Sequence, residues 1–108
     1  MKTLLLLNHE GMGHGDPELA KRIVRTFLQK AKQLRGLEAI AFYNGGVRLV
    51  APDSPVLAEL TLLEDSGVDL IPCGTCCEAH GVTPAVGHVM GMEDIIQAMN
   101  HAAKVITL

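Results

Sequence analysis

The chain has 108 residues, of which 48% are hydrophobic, and a formal net charge of -3 from nine basic and twelve acidic residues. This length suits a single domain, residues 1–108, that buries a core without disulfide or metal staples. The acidic balance argues against a nucleic-acid partner, and no apolar stretch approaches the roughly 20 residues that span a bilayer. With only three aromatic residues, little is available to stack on a flavin ring, and we expect no cofactor.

Five apolar runs predict β-strands at residues 3–8, 38–43, 68–72, 87–90 and 104–107. The first run ends too early for the apolar region of a signal peptide. The runs are continuous rather than alternating, which indicates burial on both faces of a sheet. Because helical patterns separate them, we predict an α/β fold, a three-layer α/β/α sandwich around a five-stranded, mostly parallel sheet.

Four helical patterns lie between these runs. The first covers residues 16–34, with Asp16 as N-cap and Pro17 in the first turn. The second covers residues 54–67, the third is the short turn that carries Cys76 and stops at Gly81, and the fourth covers residues 92–101. Spacings of three and four predict the inward-facing residues, which are Leu19, Ile23, Phe27, Ala31, Leu34, Leu57, Leu60, Leu62 or Leu63, Ile95, Ile96 and Met99.

All three cysteines of the chain lie within residues 73–77, where the third strand passes into the third helix. Clustered cysteines in an odd number favour a reducing compartment, and hence the cytoplasm, over a disulfide framework. Thr75 and Glu78 form a T-x-x-E pattern that predicts a capping box with Thr75 as N-cap. Cys76 and Cys77 would then lie in the first helical turn, where free N–H groups and the helix dipole favour a thiolate.

Cys73 and Cys76 form a C-x-x-C pair with three possible functions. The pair can close a redox dithiol, it can supply half of a zinc site, or one cysteine can act alone as a nucleophile. The plain alternative is that the cysteines are small core residues. A zinc site would need His80 and a second, distant histidine to complete its ligands, and we expect no metal site.

A glycine-rich loop at residues 9–15 follows the first strand. Its glycine spacing matches neither the dinucleotide-binding fingerprint nor the P-loop, and Glu10 would repel a phosphate. His9 and His14 lie in this loop and would approach the cysteines if the first and third strands are neighbours. A histidine beside a thiol can move its proton. Asn44, in a turn after the second strand, would present its amide to the same site.

Three motifs are spaced along the chain: G-x-G-x-G-D-x-E-L at residues 11–19, Y-N-G-G-V-R-L at residues 43–49, and C-G-T-C at residues 73–76. Together they resemble the DsrE/DsrF-like superfamily, and more narrowly the C-terminal domain of YedF-type proteins. Those proteins are sulfurtransferase-like and are associated with selenium metabolism. The similarity extends over nearly the whole chain, which makes the set of motifs more specific than any one of them.

The resemblance implies a homo-oligomer, commonly a trimer or hexamer, that passes sulfur as a cysteine persulfide between carrier proteins. It places the active cysteine at Cys76, with Cys73 as the other cysteine of the motif. Cys77 stands where an aliphatic residue is more usual. YedF-type proteins carry a TusA-like domain ahead of this one, and because this chain has none we expect a separate TusA-like or other sulfur-carrier partner.

We therefore expect a small cytoplasmic sulfur or selenium relay protein. Cys76 would carry the sulfane sulfur, and Cys73 would attack the persulfide to release it. The alternatives are a non-catalytic binding or assembly module that holds a metal ion or small anion, and a thiol redox switch. The candidate site residues are Cys76, Cys73, His9 and His14, with Thr75, Cys77 and Asn44 in supporting positions.

Overall fold

The computed structural model describes residues 2–108. Its elements in chain order are strand β1 (Thr3–Leu7), helix α1 (Pro17–Gln29), 3₁₀ helix η1 (Ala31–Gln33), β2 (Leu37–Phe42), 3₁₀ helix η2 (Asn44–Val50), α2 (Leu57–Asp65), β3 (Asp69–Pro72), α3 (Gly74–His80), α4 (Met92–His101) and β4 (Lys104–Thr107). The strands form one parallel sheet in the order β3-β2-β1-β4. The predicted α/β fold with a parallel sheet is confirmed.

The sheet has four strands, so the prediction of five is wrong. The predicted fourth strand, residues 87–90, forms only an isolated bridge between Met90 and Cys73. The segment runs beside β3 and donates two backbone hydrogen bonds of 3.1 Å to it. Gly87 explains why no strand forms. Its φ of 76° is left-handed, and the extended stretch that follows is too short for a regular ladder.

Helices cover both faces of the sheet. Successive side chains of a strand point to opposite faces. In β1, Leu5 and Leu7 pack with α1 and α2 in one core, whereas Leu4 and Leu6 pack with Ile95 of α4 in a second core. All four leucines are buried, which is why the strand is apolar at every position.

Helix α1 begins where the sequence predicts, but its predicted inward set is only partly correct: Phe27 packs against the core and Ala31, just beyond the helix, is buried. The Asp16 carboxylate accepts a hydrogen bond from a first-turn N–H at 3.0 Å, as expected of an N-cap. Val24 and Leu28 are the buried residues, whereas Leu19 and Ile23 are 48% and 40% exposed. Both sets have helical spacing, so only packing against the sheet distinguishes them. The regular helix also ends at residue 29 and tightens into η1.

The other helices follow their predicted faces more closely. In α2, Leu60 and Leu63 are buried and the alternative candidate Leu62 is 70% exposed. In α4, Ile95 is buried, but the prediction that Ile96 faces the sheet is wrong because it is almost half exposed. Within residues 2–108, none of the helices has both the length and the apolar character to cross a membrane.

Candidate functional site

The cysteine cluster lies at the carboxyl edge of the parallel sheet, where α/β folds usually place their sites. The backbone N–H of Cys73 donates a 2.9 Å hydrogen bond to the carbonyl of Phe42, at the end of β2. Cys73 also pairs with Met90, so it continues β3 between two neighbouring segments. Helix α3 begins at the next residue and carries the other two cysteines.

The N-cap of α3 is Cys73 and not Thr75, so the predicted capping box is wrong. Pairing with β2 holds Cys73 in an extended conformation, and its carbonyl already accepts the N–H of Cys77 at 2.9 Å. Thr75 therefore lies within the helix, where its side chain is exposed. Gly81 ends the helix in a left-handed conformation, with φ 65°, as its sequence position predicts.

The three free cysteines occupy three different environments. Cys73 is 3% exposed and belongs to the core beneath α4. Cys77 is 5% exposed and belongs to the opposite core, beneath α1 and α2. Cys76 is only partly buried and contacts both cores. Cys76 is thus the most accessible thiol, and Cys77 occupies the buried position that an aliphatic side chain would fill.

Burial raises the pKa of Cys76, and the neighbouring Cys73 thiol raises it further through a hydrogen bond and charge repulsion. A hydrogen bond from the backbone N–H of Asn44 acts in the opposite direction. The pKa of Cys77 is also raised, chiefly by burial and then by repulsion from the other two cysteines. Burial and the neighbouring thiols thus act against the predicted stabilisation of these thiolates by the helix start.

Asn44 reaches the cysteines from η2. With φ 47°, it is the one non-glycine residue in the range 2–108 with a positive φ. Asparagine tolerates this left-handed conformation better than most residues. The turn directs its backbone N–H, rather than the predicted side-chain amide, to the sulfur of Cys76. The side-chain Oδ1 instead lies 3.0 Å from Nε2 of His80.

His80 completes this group of residues, although the sequence suggested it only as a metal ligand. It lies four residues after Cys76 on α3, and this spacing places both on one helix face. Nδ1 of His80 accepts a hydrogen bond from Nε of Arg48 at 3.3 Å, and its Nε2–H then faces Asn44. The tautomer that fits both partners carries its proton on Nε2. The four-residue spacing from Cys76 was the one sequence signal that could have placed His80 at this site.

His9 and His14 follow β1, which is not a neighbour of the cysteine strand because β2 lies between them. The condition for bringing these histidines to the cysteines is therefore not met. Their rings stack on each other instead, with centroids 5.9 Å apart and planes inclined by 10°. The loop lies against η2, where a Cβ on Gly45 would lie 3.6 Å from the Cα of His9. A role in proton transfer stays a prediction for both.

An open groove of about 650 Å³ runs along α3, and Cys77 is the cysteine that lines it. Across residues 2–108, no three or more His, Cys, Asp or Glu side chains converge in a way that would hold a metal ion. The residues that line the groove include Gly74, Thr75, Cys77, Glu78, Val82 and Val89.

Several solved structures share this fold. The ychN protein from E. coli is 15% identical, with a TM-score of 0.72 over 99% of this chain and 98% of its own. Protein MTH1491 from Methanobacterium thermoautotrophicum, whose function is unknown, is 16% identical, with a TM-score of 0.73 over the same shares. Protein BT1422 from Bacteroides thetaiotaomicron, also of unknown function, is 21% identical, with a TM-score of 0.68 over 99% and 95% of the two chains.

At these identities the solved structures establish the fold alone. No curated protein matches the chain. The family model described as DsrE/DsrF-like matches residues 1–108, which is the whole chain. The chain therefore belongs to the DsrE/DsrF-like family.

Proposed function

We propose that this protein is a sulfur-relay protein that carries a sulfane sulfur as a persulfide on Cys76. Membership of the DsrE/DsrF-like family, which is linked to sulfur relay, supports this function. The observation that carries the proposal is the contrast among the cysteines. Cys76 alone is partly exposed, and it receives a backbone hydrogen bond on its sulfur, whereas Cys73 and Cys77 are buried.

The relay consists of two exchanges at sulfur. The Cys76 thiolate attacks the outer sulfur of a donor persulfide, the donor's S–S bond breaks, and the donor leaves as a thiolate. The thiolate of an acceptor then attacks the outer sulfur on Cys76, which frees Cys76 again. Each step forms one S–S bond and breaks another, so no outside oxidant is needed.

Cys73 provides a second way to discharge Cys76. Its thiolate would attack the inner sulfur of the persulfide, forming a Cys73–Cys76 disulfide and releasing the outer sulfur as hydrosulfide. A thiol reductant must then reduce this disulfide before the next cycle. The hydrogen bond from Cys73 that contributes to the raised pKa of Cys76 supports this step.

Intact-mass spectrometry tests the relay directly. The protein is reduced, desalted, incubated with a small-molecule persulfide and weighed. We expect the wild type to gain one sulfur atom, Cys76→Ser to gain none, and the buried-site control Cys77→Val to behave as wild type. A wild type that gains no sulfur, or a Cys76→Ser variant that gains it equally, would contradict the proposal.

A thiol redox switch is the second candidate, and the same Cys73–Cys76 contact favours it. A mild disulfide oxidant would convert the pair to a disulfide, with the oxidant reduced in its place. Titration of free thiols before and after oxidation distinguishes the two functions. Reversible loss of two thiols, in a protein that accepts no persulfide sulfur, would favour the switch.

We also propose that the acceptor is a TusA-like or other sulfur-carrier protein, that the protein works in the cytoplasm, and that it assembles as a trimer or hexamer. Three apolar side chains on α4 and β4, Met92, Ile96 and Val105, are 43% to 46% exposed in the single chain and are available to such contacts. Light scattering coupled to size exclusion measures the assembly. A purely monomeric protein at micromolar concentration would rule out the oligomer.

Selenium transfer is tested separately, by incubating the protein with a selenium donor in parallel with the persulfide.

A further inference from the structure

We propose that His80 is a positioning residue: by holding the side chain of Asn44, it keeps the backbone N–H of Asn44 directed at the sulfur of Cys76. The inference rests on the proposed function only in taking Cys76 as the working thiol. His80 contacts neither the protein that donates the sulfane sulfur nor the one that accepts it. It acts through Asn44.

The contacts form a closed group between two elements. Helix α3 contributes Cys76 and His80, which are one turn apart. The 3₁₀ helix η2 contributes Asn44 and Arg48. The Asn44 backbone binds Cys76, the Asn44 side chain binds His80 at 3.0 Å, and Arg48 donates to His80 at 3.3 Å. Each element thus holds the other through two residues.

The backbone of Asn44 needs such an anchor. A left-handed conformation is unfavourable for a residue with a Cβ, and it persists where surrounding contacts determine it. The hydrogen bond from His80 Nε2 to Asn44 Oδ1 is one of these contacts. If it is lost, the residue is free to relax, and its N–H turns away from the sulfur.

The anchor requires neutral His80, because a protonated ring would direct an N–H at the donor of Arg48. Other charged groups lie nearby: the cavity lined by His80 and Arg48 also contains Glu10, Lys21 and Asp53. These charges are two of each sign, and the hydrogen-bond partners of the ring itself are Asn44 and Arg48. The pairing with Asn44 and Arg48 is therefore the interaction that defines the ring's role.

The chemical consequence concerns the thiolate of Cys76. A hydrogen bond to a charged acceptor is stronger than one to a neutral acceptor, so the Asn44 N–H stabilises the thiolate more than the thiol. Without His80, this stabilisation weakens while burial and the Cys73 thiol continue to act. The Cys76 thiolate then becomes rarer at a given pH, and reaction at Cys76 slows.

The test measures alkylation of Cys76 by iodoacetamide as a function of pH, with tandem mass spectrometry to separate Cys76 from Cys77. In His80→Leu we expect alkylation at pH 8 to slow by about 3- to 10-fold, the size expected for one typical net hydrogen bond. The glutamine side chain of His80→Gln can donate to Asn44 and accept from Arg48. This variant should keep a rate of Cys76 alkylation within about twofold of wild type, because the hydrogen bond to Asn44 is retained. A merely structural role would do the opposite, because loosening the site exposes Cys76 and speeds its alkylation.

A double-mutant cycle with Asn44→Gly keeps the inference testable if the His80 variant loses stability. Glycine accepts the left-handed conformation and retains the N–H, but it removes the oxygen that His80 binds. We expect His80→Leu to have no further effect on the rate in the Asn44→Gly background. Equal rates in wild type and His80→Leu, or fully additive effects in the cycle, would overturn the inference.

Persulfide loading is a separate measurement, so a protein that shows the alkylation effect but accepts no sulfur would contradict the relay and leave the role of His80 standing.

Discussion

Gly46 of η2 packs directly against the carbonyl group of Leu7 at the end of β1, so that a Cβ on residue 46 would overlap the Leu7 oxygen. The contact is between backbone and backbone, which leaves no flexible side chain to move aside. It fixes η2, and with it Asn44, over the carboxyl edge of the sheet. The site geometry therefore depends on the absence of a side chain at this position.

Gly46→Ala should destabilise the protein by about 2 kcal/mol or more, because the backbone must shift to remove the overlap. The neighbouring Gly45→Ala is the matched control. A Cβ there would meet its nearest neighbour, the Cα of His9, at 3.6 Å, which is an ordinary contact. Chemical denaturation of both variants measures the difference, and equal stabilities would show that η2 adapts freely.

Cys73→Ala should lower the pKa of Cys76, because it removes the hydrogen bond and the charge repulsion through which Cys73 raises that pKa. Alkylation of Cys76 at pH 7 should then be faster than in wild type. Cys73→Ser is the control, since its hydroxyl stays neutral and can donate to the Cys76 thiolate, so the pKa should fall at least as far as in Cys73→Ala. A pH profile that is unchanged or moves upward in Cys73→Ala would contradict this account. The persulfide on Cys76 should also last longer, because no neighbouring thiol attacks it.

Cys77→Val should leave sulfur loading of Cys76 unchanged and alter the free energy of unfolding by only about 1 kcal/mol, because the position is a buried apolar one. The variant should also lose less stability in alkali. The pKa of Cys77 is raised in the folded protein, so its thiol ionises first in the unfolded state. Stability therefore falls as the pH rises above about 8.5, the ordinary thiol pKa. Unfolding curves at pH 7 and 10 measure this, and identical alkaline losses in both proteins would refute it.

Glu59 joins α2 to α1 through Arg25 at 3.3 Å and Gln29 at 3.2 Å. Partial burial raises its pKa, but hydrogen bonds from its own backbone, Gln29 and Arg25 together bring the pKa below its usual value. Glu59→Gln should cost about 1 kcal/mol or less at pH 7, since Arg25 is half exposed and the pair is screened by solvent.

The pH dependence of Glu59→Gln has a definite sign. A lowered carboxyl pKa contributes stability above the unfolded value of about 4.3, and this contribution disappears as the pH falls through the folded pKa. Wild type and variant should therefore differ at pH 7 and converge as the pH falls through the folded pKa of Glu59. Thermal unfolding across this range provides the measurement. A difference that grows in acid would show that the ion pair is not its cause.

Local sequence signals predicted the elements well but not their contacts. Asp16 and Gly81 marked a helix start and a helix end, because capping depends on a few adjacent residues. The buried face of α1 was not predictable, since Leu19 and Val24 belong to apolar sets with equally helical spacing. Thr75 failed as an N-cap because pairing of Cys73 with β2, a contact distant in sequence, had already set where the helix begins.

By itself the sequence determined a parallel α/β layering and placed the cysteines after a buried strand, because apolar continuity and strand-to-helix alternation are properties of neighbouring residues. Only the tertiary structure decided which loop meets them. Strand order depends on pairings distant in sequence, and with β2 between β1 and β3 it brings Asn44 to Cys76, while His9 and His14 stack on each other. The same packing separates Cys76 from the other two cysteines, because Cys73 enters one core, Cys77 enters the other, and Cys76, which contacts both, is the cysteine that reaches the surface.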